Sequence, residues 1–330
     1  MDNPIKQIVY TPVEIGSLSK ASIHERLQFE KEGWGLPFPI DYIAADLNPI
    51  APGDLLTITG RPGNGKTHLM KWWARLRAEY LATIPNNNRV VVFCTYEQHI
   101  EDLNNFDLAA MTGVSLTSMA RNEITTEQLA QLDAANVLRH ALPLWSIGHS
   151  AMRRGRRPRM TIDRLADALH NIQTWTGDND GFLIDSIFVD YLQRIPYKGE
   201  NKVVGVSNNL DELKDLALAL VAPLVPGVQA RREVDNYSEQ IPTLSDGQWT
   251  SNIEQASDAN LSVVRPAQYR REGELFGSTP VTGFQQMLIT IWKQKLGVAN
   301  KPHWVMCDPR YNQITAAQKR TTNFNKLANL

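Results

Sequence analysis

The sequence predicts an α/β fold, a mostly parallel β-sheet flanked by helices with antiparallel strands at one edge. Short runs of apolar, largely β-branched residues alternate with stretches of helical periodicity, the pattern of a sheet covered on both faces. One such run leads directly into a glycine-rich loop and then a helix. Toward the C-terminus the strand-like runs lack obvious helices between them, which predicts the antiparallel edge.

Residues 1–45 read as an N-terminal arm and linker. Within it, Ala21–Lys31 predicts a short helix with few apolar members, so its partner is another element or another subunit; a Gly/Pro-rich link, Gly33–Pro39, follows. The domain reads as residues 46–315 and the tail as 316–330. Residues 54–59 predict a strand, and helix signals continue to about Ala82 before the turn at Pro85–Asn88. Arg89–Thr95 predicts a second buried strand. Glu101–Met111 and Thr126–Arg139 read as helices and Leu144–Ile147 as a strand. Thr161 caps a helix running to about Thr174, and Phe182–Val189 is a strand ending in Asp190. Asn209-Leu-Asp-Glu212 has capping-box spacing ahead of Leu213, Leu216, Ala217 and Leu220. Leu224–Gln229, Ala259–Val264, Met287–Trp292 and His303–Cys307 are the remaining strands, and residues 230–250 read as irregular.

The 330 residues, 42% hydrophobic, suffice for one large core or two modest ones. Lysine plus arginine (34) nearly balance aspartate plus glutamate (35), so nucleic-acid binding must come from local patches rather than bulk charge. Cys94 and Cys307 sit in separate apolar runs and predict buried thiols in a reducing cytoplasm. No stretch approaches the roughly 18 apolar residues of a membrane span, and the N-terminus lacks a signal-like apolar region; a cytoplasmic location and no membrane contact are expected. The seven histidines form no close metal-ligand cluster.

Gly60-Arg61-Pro62-Gly63-Asn64-Gly65-Lys66-Thr67 matches the phosphate-loop pattern in full, between a strand and a helix. Its glycines let successive N–H groups turn toward one anion, and the helix N-terminus adds a favourable field. Lys66 is placed to reach the β- and γ-phosphates of ATP, and Thr67 to ligate Mg²⁺; His68 neighbours the phosphates. An acid to manage the magnesium water shell is expected at a strand end, which singles out Asp190, with Asp185 in the same run the weaker choice. Glu97, just past the strand ending at Thr95, is placed to orient the attacking water, because strand carboxyl ends gather around a ligand in a parallel sheet.

Taken together, these motifs resemble the ATPase domain of the DnaB-type replicative helicases, within the RecA-like P-loop ATPase superfamily. The likeness runs through Gly53-Asp-Leu and GRPGNGKT, CTYEQ, FVDYLQRI, LKDLALAL with Val225-Pro-Gly-Val-Gln229, and PTLSD with Asn252–Asp258, to Lys293-Gln-Lys295 and HWVMCD. It implies that Lys66, Thr67, Glu97 and Asp190 take the roles above and that Gln229 senses the γ-phosphate. It also implies a ring, usually a hexamer, in which a basic pair from the neighbour, here Lys293 and Lys295, completes each site. The family usually carries arginine at the second position; lysine supplies charge without a two-pronged planar contact, and Arg265 is an alternative source of that contact. Asp246–Ser251 departs from the family's DLRESG-like segment, and about 45 residues precede the core, too few for the family's collar domain.

Two expectations follow. One is a ring motor on single-stranded DNA, with Lys198, Lys202, Arg231 and Arg232 in loops 197–209 and 230–250 as backbone contacts and Trp249 either stacking on a base or packing. The other is a related ATPase that recruits protein partners. Arg153–Arg159 places five arginines in an exposed loop, for nucleic acid, an acidic partner, charge pairing across a ring interface, or solvent alone; the N-terminal arm is a second candidate partner surface.

Overall fold

The computed structural model describes residues 11–29, 35–153, 155, 158–175, 181–248 and 253–317. In chain order the elements are α1 (Pro12–Phe29), α2 (Asp41–Ala44), β1 (Leu56–Gly60), α3 (Lys66–Ala82), β2 (Arg89–Thr95), α4 (Ile100–Thr112), α5 (Leu116–Ala120), α6 (Thr126–His140), β3 (Leu144–Ile147) and α7 (Ile162–Gln173). They continue with β4 (Leu183–Asp190), α8 (Lys202–Leu220), β5 (Leu224–Gln229), α9 (Ile253–Ala256), β6 (Ala259–Val264), the short hairpin β7 (Leu275–Phe276) and β8 (Thr279–Pro280), then β9 (Gln286–Lys293), β10 (Lys301–Asp308) and β11 (Gln313–Ala316). Arg154, Arg156, Arg157, Trp249–Asn252, the expected end of the first helix at Lys31, and the tail from 318 lie outside the described residues.

A single sheet of order β11-β10-β9-β6-β1-β5-β4-β2-β3 organises the domain. The six strands from β3 to β6 are parallel, and β9, β10 and β11 close it as an antiparallel edge. The central strands are apolar on both faces because both faces are covered. In β4, Phe188 joins the core beneath α3 with Trp73, Phe93 and Ile289. Its neighbours Ile187 and Val189 turn to the opposite core, with Leu165 and Leu169 of α7 and Leu210 and Leu213 of α8. Leu36, Phe38, Ile43 and Leu47 also pack in the first core, and Leu36 bridges Ile50, so the packed domain takes in residues ahead of position 46.

Three sequence-based expectations change. The first helix begins at Pro12, not Ala21. Thr11 and Glu14 form a capping box (Thr11 N to Glu14 Oε2, 2.7 Å; Glu14 N to Thr11 Oγ1, 3.3 Å), and Pro12 is tolerated just inside the start because that N–H needs no helical partner. Residues 202–209 are not loop: Asn201, whose side chain accepts from Val203 N and Val204 N, starts α8. Asn209 is buried inside that helix and donates to Ile195 O at 3.2 Å, so it caps nothing. Asp185 belongs to the core. Its carboxylate takes a two-pronged contact from Arg77 (2.8 and 2.7 Å) with both side chains almost fully buried.

A second buried ionic cluster appears that sequence reading did not anticipate. Asp107 of α4 accepts from Lys71 of α3 at 2.6 Å and from Arg139 of α6 at 2.7 Å. It ties the helix after the phosphate loop to both helices behind it. Cys94 and Cys307 are buried and free; burial pushes the Cys94 thiol up and the Cys307 thiol up to about 12. Among the described residues no helix is long and apolar enough to cross a membrane.

Candidate functional site

The loop between β1 and α3 takes its shape from two left-handed glycines, Gly63 (φ +77°) and Gly65 (φ +90°). A side chain at Gly65 would be strained by that backbone conformation, and its Cβ, 2.5 Å from Met287 Cε, would also push the Met287 tip aside. The loop ends at the first turn of α3, whose orphan N–H groups face the same side. Lys66 Nζ, buried, donates to Gly60 O at 2.8 Å and lies 3.3 Å from Arg61 O. Burial lowers its pKa to about 8, opposed by the charges of Asp190 and Glu97.

Next to it, Thr67 Oγ1 donates to Asp190 Oδ2 at 2.7 Å. The other Asp190 oxygen, Oδ1, is buried without a partner among the described residues. Burial pushes the Asp190 carboxyl up to about 6; the Thr67 hydrogen bond and Lys66 pull it down, and Glu97 raises it further. The parallel register explains the convergence: Gly60 lies opposite Gln229 and Thr95 opposite Asp190, so β1, β5, β2 and β4 end together. A cleft of about 430 Å³ opens there, lined by Pro62, Gly63, Gly65–His68, Glu97, Gln98, Asp190 and Gln229.

Other expected loop contacts have different partners. Arg61 turns to Asp235 (2.8 Å) and to Ala230 O (3.1 Å). Asn64 is buried between Tyr269 Oη (3.0 Å) and the main chain of Arg265 (2.7 Å). His68 faces Asn312 (3.0 Å) and packs on Phe106; burial lowers its pKa to about 4, leaving a neutral ring.

The structure adds residues to the site. Gln193, the last residue of the DYLQ motif, accepts from Gln229 N at 3.0 Å and donates toward Gln229 O (3.3 Å) and Gln248 O (2.9 Å). It fastens the end of β5 to the segment that follows it. Arg265 and Gln268, just beyond β6, also line the cleft, as does Tyr191. The DYLQ motif itself was the available signal for Gln193; nothing local to Gln268 marks it.

Lys293 and Lys295 stand apart. Lys293 pairs in register with Asn260 at the start of β6, toward the end of the sheet opposite the phosphate loop, and its ammonium donates to Glu254 O and Ser257 O. Lys295 bridges Asp54 (2.5 Å) and Asp258 (2.9 Å). Of the nucleic-acid candidates, Arg231 is bound to Asp246 (2.7 Å) and Tyr237 Oη (2.9 Å), and Lys198 lies 3.3 Å from Asp163. Arg232 is exposed, and Lys202 opens α8.

Residues 35–308 match the model of the family described as DnaB-like helicase C terminal domain. The chain belongs to that family. It is similar to a "Probable plasmid replicative DNA helicase" of Chlamydia trachomatis serovar L2, 25% identical over 78% of this chain and 53% of the relative. The replicative DNA helicase DnaB of Rickettsia bellii is 26% identical over 80% and 51%, and that of Geobacillus stearothermophilus is 25% identical over 67% and 45%. The chain thus spans about half the length of these curated relatives. In fold it is similar to a solved structure described as an ATPase domain (TM-score 0.73, 16% identity, 92% of this chain and 99% of that one). It is likewise similar to a DnaB-like replicative helicase described with its interactions with primase (TM-score 0.72, 16% identity, 91% and 66%). The DnaB-family fold explains the topology above: a RecA-like P-loop ATPase domain with an antiparallel edge.

The site suits the ATP and Mg²⁺ that this family implies. The left-handed glycines hold a cradle that any Cβ would disturb, and the unpartnered Asp190 Oδ1 lies beside a hydroxyl, a pair suited to a hard cation. Among the described residues no group of three or more His, Cys, Asp or Glu forms a metal cage, so nucleotide phosphates would supply the remaining ligands.

Proposed function

We propose that this chain is the ATP-hydrolysing motor of a homo-oligomeric ring, most simply a hexamer, that moves along single-stranded DNA. The single observation that carries this reading is the link from the cleft to the next segment. Gln229 ends β5 in the cleft, and Gln193 fastens it to residues 230–248, which hold Arg231 and Arg232. A change at Gln229 between nucleotide states therefore reaches a candidate DNA-contacting segment directly.

In this reading Lys66 neutralises the β- and γ-phosphates of ATP, and Thr67 and Asp190 hold Mg²⁺. The bound metal would offset phosphate charge in the transition state. Glu97 orients the attacking water and accepts its proton. Gln229 contacts the γ-phosphate. Lys293 and Lys295, remote from their own phosphate loop, serve the site of the adjacent subunit.

ATP turnover measured with and without single-stranded DNA, at several protein concentrations, tests the reading. The expectation is turnover that rises with assembly and is stimulated by DNA. An assembled, Mg²⁺-containing sample that neither binds DNA nor responds to it would overturn the motor.

One observation favours a second reading, an ATPase ring that recruits protein partners. Arg231 and Lys198 are each engaged by a carboxylate, which reduces the charge offered to a DNA backbone. ATP-dependent capture of a protein without movement on DNA is its signature.

A further inference from the structure

Thr95 ends β2, buried at 1% exposed, two residues before Glu97. Its hydroxyl accepts from Gln98 N at 3.0 Å, lies 3.4 Å from Glu97 N, and donates to Gln98 O at 3.0 Å. One side-chain oxygen thus closes the turn that presents Glu97. The main chain is also held at Tyr96, whose N–H donates to Asp190 O at 2.8 Å, and beyond the turn at Ile100, whose N–H donates to His149 O at 3.1 Å. Among the described residues the Glu97 carboxylate itself has only a loose exposed contact, Arg194 at 3.9 Å, of a kind that contributes little. The direction of Glu97 is therefore set by its backbone, and its backbone by Thr95. The threonine methyl is also fixed: a Cβ at Gly148 would fall 2.5 Å from Thr95 Cγ2 and 3.1 Å from Ile100 Cγ2.

We propose that Thr95 is a positioning residue for hydrolysis, holding Glu97 where it meets the attacking water. The proposal rests on the reading of Glu97 as the residue that orients that water. A general base acts only within hydrogen-bond reach of its proton, and small displacements are costly. Valine has the same shape without the hydroxyl; serine keeps the hydroxyl without the methyl. Loss of the hydroxyl frees Gln98 N and loosens the turn, while Lys66, Thr67 and Asp190, which hold phosphate and metal, stay in place.

The test uses the full chain with Mg²⁺ and ATP, and variants Thr95→Val, Thr95→Ser, Glu97→Gln and the double variant. Thr95→Val is expected to lower kcat about tenfold with KM for ATP changed less than about twofold, and Thr95→Ser to keep kcat within about twofold. In the Glu97→Gln background Thr95→Val should cause no further fall, a non-additivity that general loosening of the fold would not produce. Full kcat in Thr95→Val, an equal loss in Thr95→Ser, or an undiminished additional fall in the double variant each overturns the proposal. If Glu97→Gln is inactive while Thr95→Val is not impaired, the proposal alone fails; if Glu97→Gln turns over normally, the reading of Glu97 fails and the proposal with it. Should Thr95→Val not fold, Gly148→Ala displaces the same side chain from outside the turn. It is expected to show the same fall in kcat at unchanged KM, and wild-type kcat in folded Gly148→Ala overturns the proposal.

Discussion

Thr67 and Asp190 share a hydrogen bond of 2.7 Å from the first turn of α3 to the end of β4, leaving the second Asp190 oxygen buried and without a partner among the described residues. Burial holds that carboxyl near 6, so it is ionised at neutral pH and protonated below. Protons and a dication then compete for the same oxygens. In nucleotide-saturated protein, apparent Mg²⁺ affinity should be flat above pH ~7 and fall by up to about tenfold per unit below pH ~6. Asp190→Asn should remove most Mg²⁺-dependent turnover and the pH response together. Mg²⁺ titration of turnover across this range checks both, and a flat profile would exclude Asp190 as the competing group.

Burial lowers Lys66 to about 8, and a phosphate beside it favours the ammonium again. Below that value the free protein already carries the proton. Above it, ATP binding should take up as much as one proton, read by calorimetry in buffers of different ionisation heat. Lys66→Ala should abolish the uptake and weaken ATP binding about 10- to 150-fold, the range for a lost hydrogen bond to a charged group.

Two aspartates of one strand should separate cleanly by their variants. Asp185→Ala removes the carboxylate from buried Arg77 and should lower stability by about 3–5 kcal/mol in urea denaturation. Its Mg²⁺ requirement should match that of the wild type at a temperature where it is folded. The apolar pair Arg77→Met with Asp185→Leu should recover much of the stability. A shifted Mg²⁺ requirement in Asp185→Ala would contradict the structural assignment.

Lys295 makes ion pairs within its own chain, at Asp54 and Asp258, and cannot also reach its own phosphate loop. If it completes a neighbour's site, Lys66→Ala and Lys295→Ala are each defective alone but complement on mixing, since some interfaces then receive both intact halves. Recovered turnover in mixed samples is the expected outcome. No recovery in samples shown to co-assemble would remove Lys295 from the composite site. Lys295→Arg should retain turnover, because arginine keeps the charge and adds a planar contact.

The sequence by itself determined the elements whose chemistry is local. GRPGNGKT needs a particular run of residues to curl around an anion, and β2, β3, β5 and β6 announce themselves by apolar content over a few consecutive positions. Helix starts are set by single capping side chains, Thr11 with Glu14 for α1 and Asn201 for α8, which shift a boundary without changing the element. What only the tertiary structure decided are relations between distant residues. Asp185 and Asp190 look alike in one apolar strand, and packing separates them, setting one against Arg77 beneath α3 and the other beside Thr67. The Lys71–Asp107–Arg139 cluster and the Gln193 clasp on Gln229 bring together residues tens of positions apart. A side chain's partner there depends on strand register and helix packing, which arise from the whole core and leave no mark on the neighbouring residues of the chain.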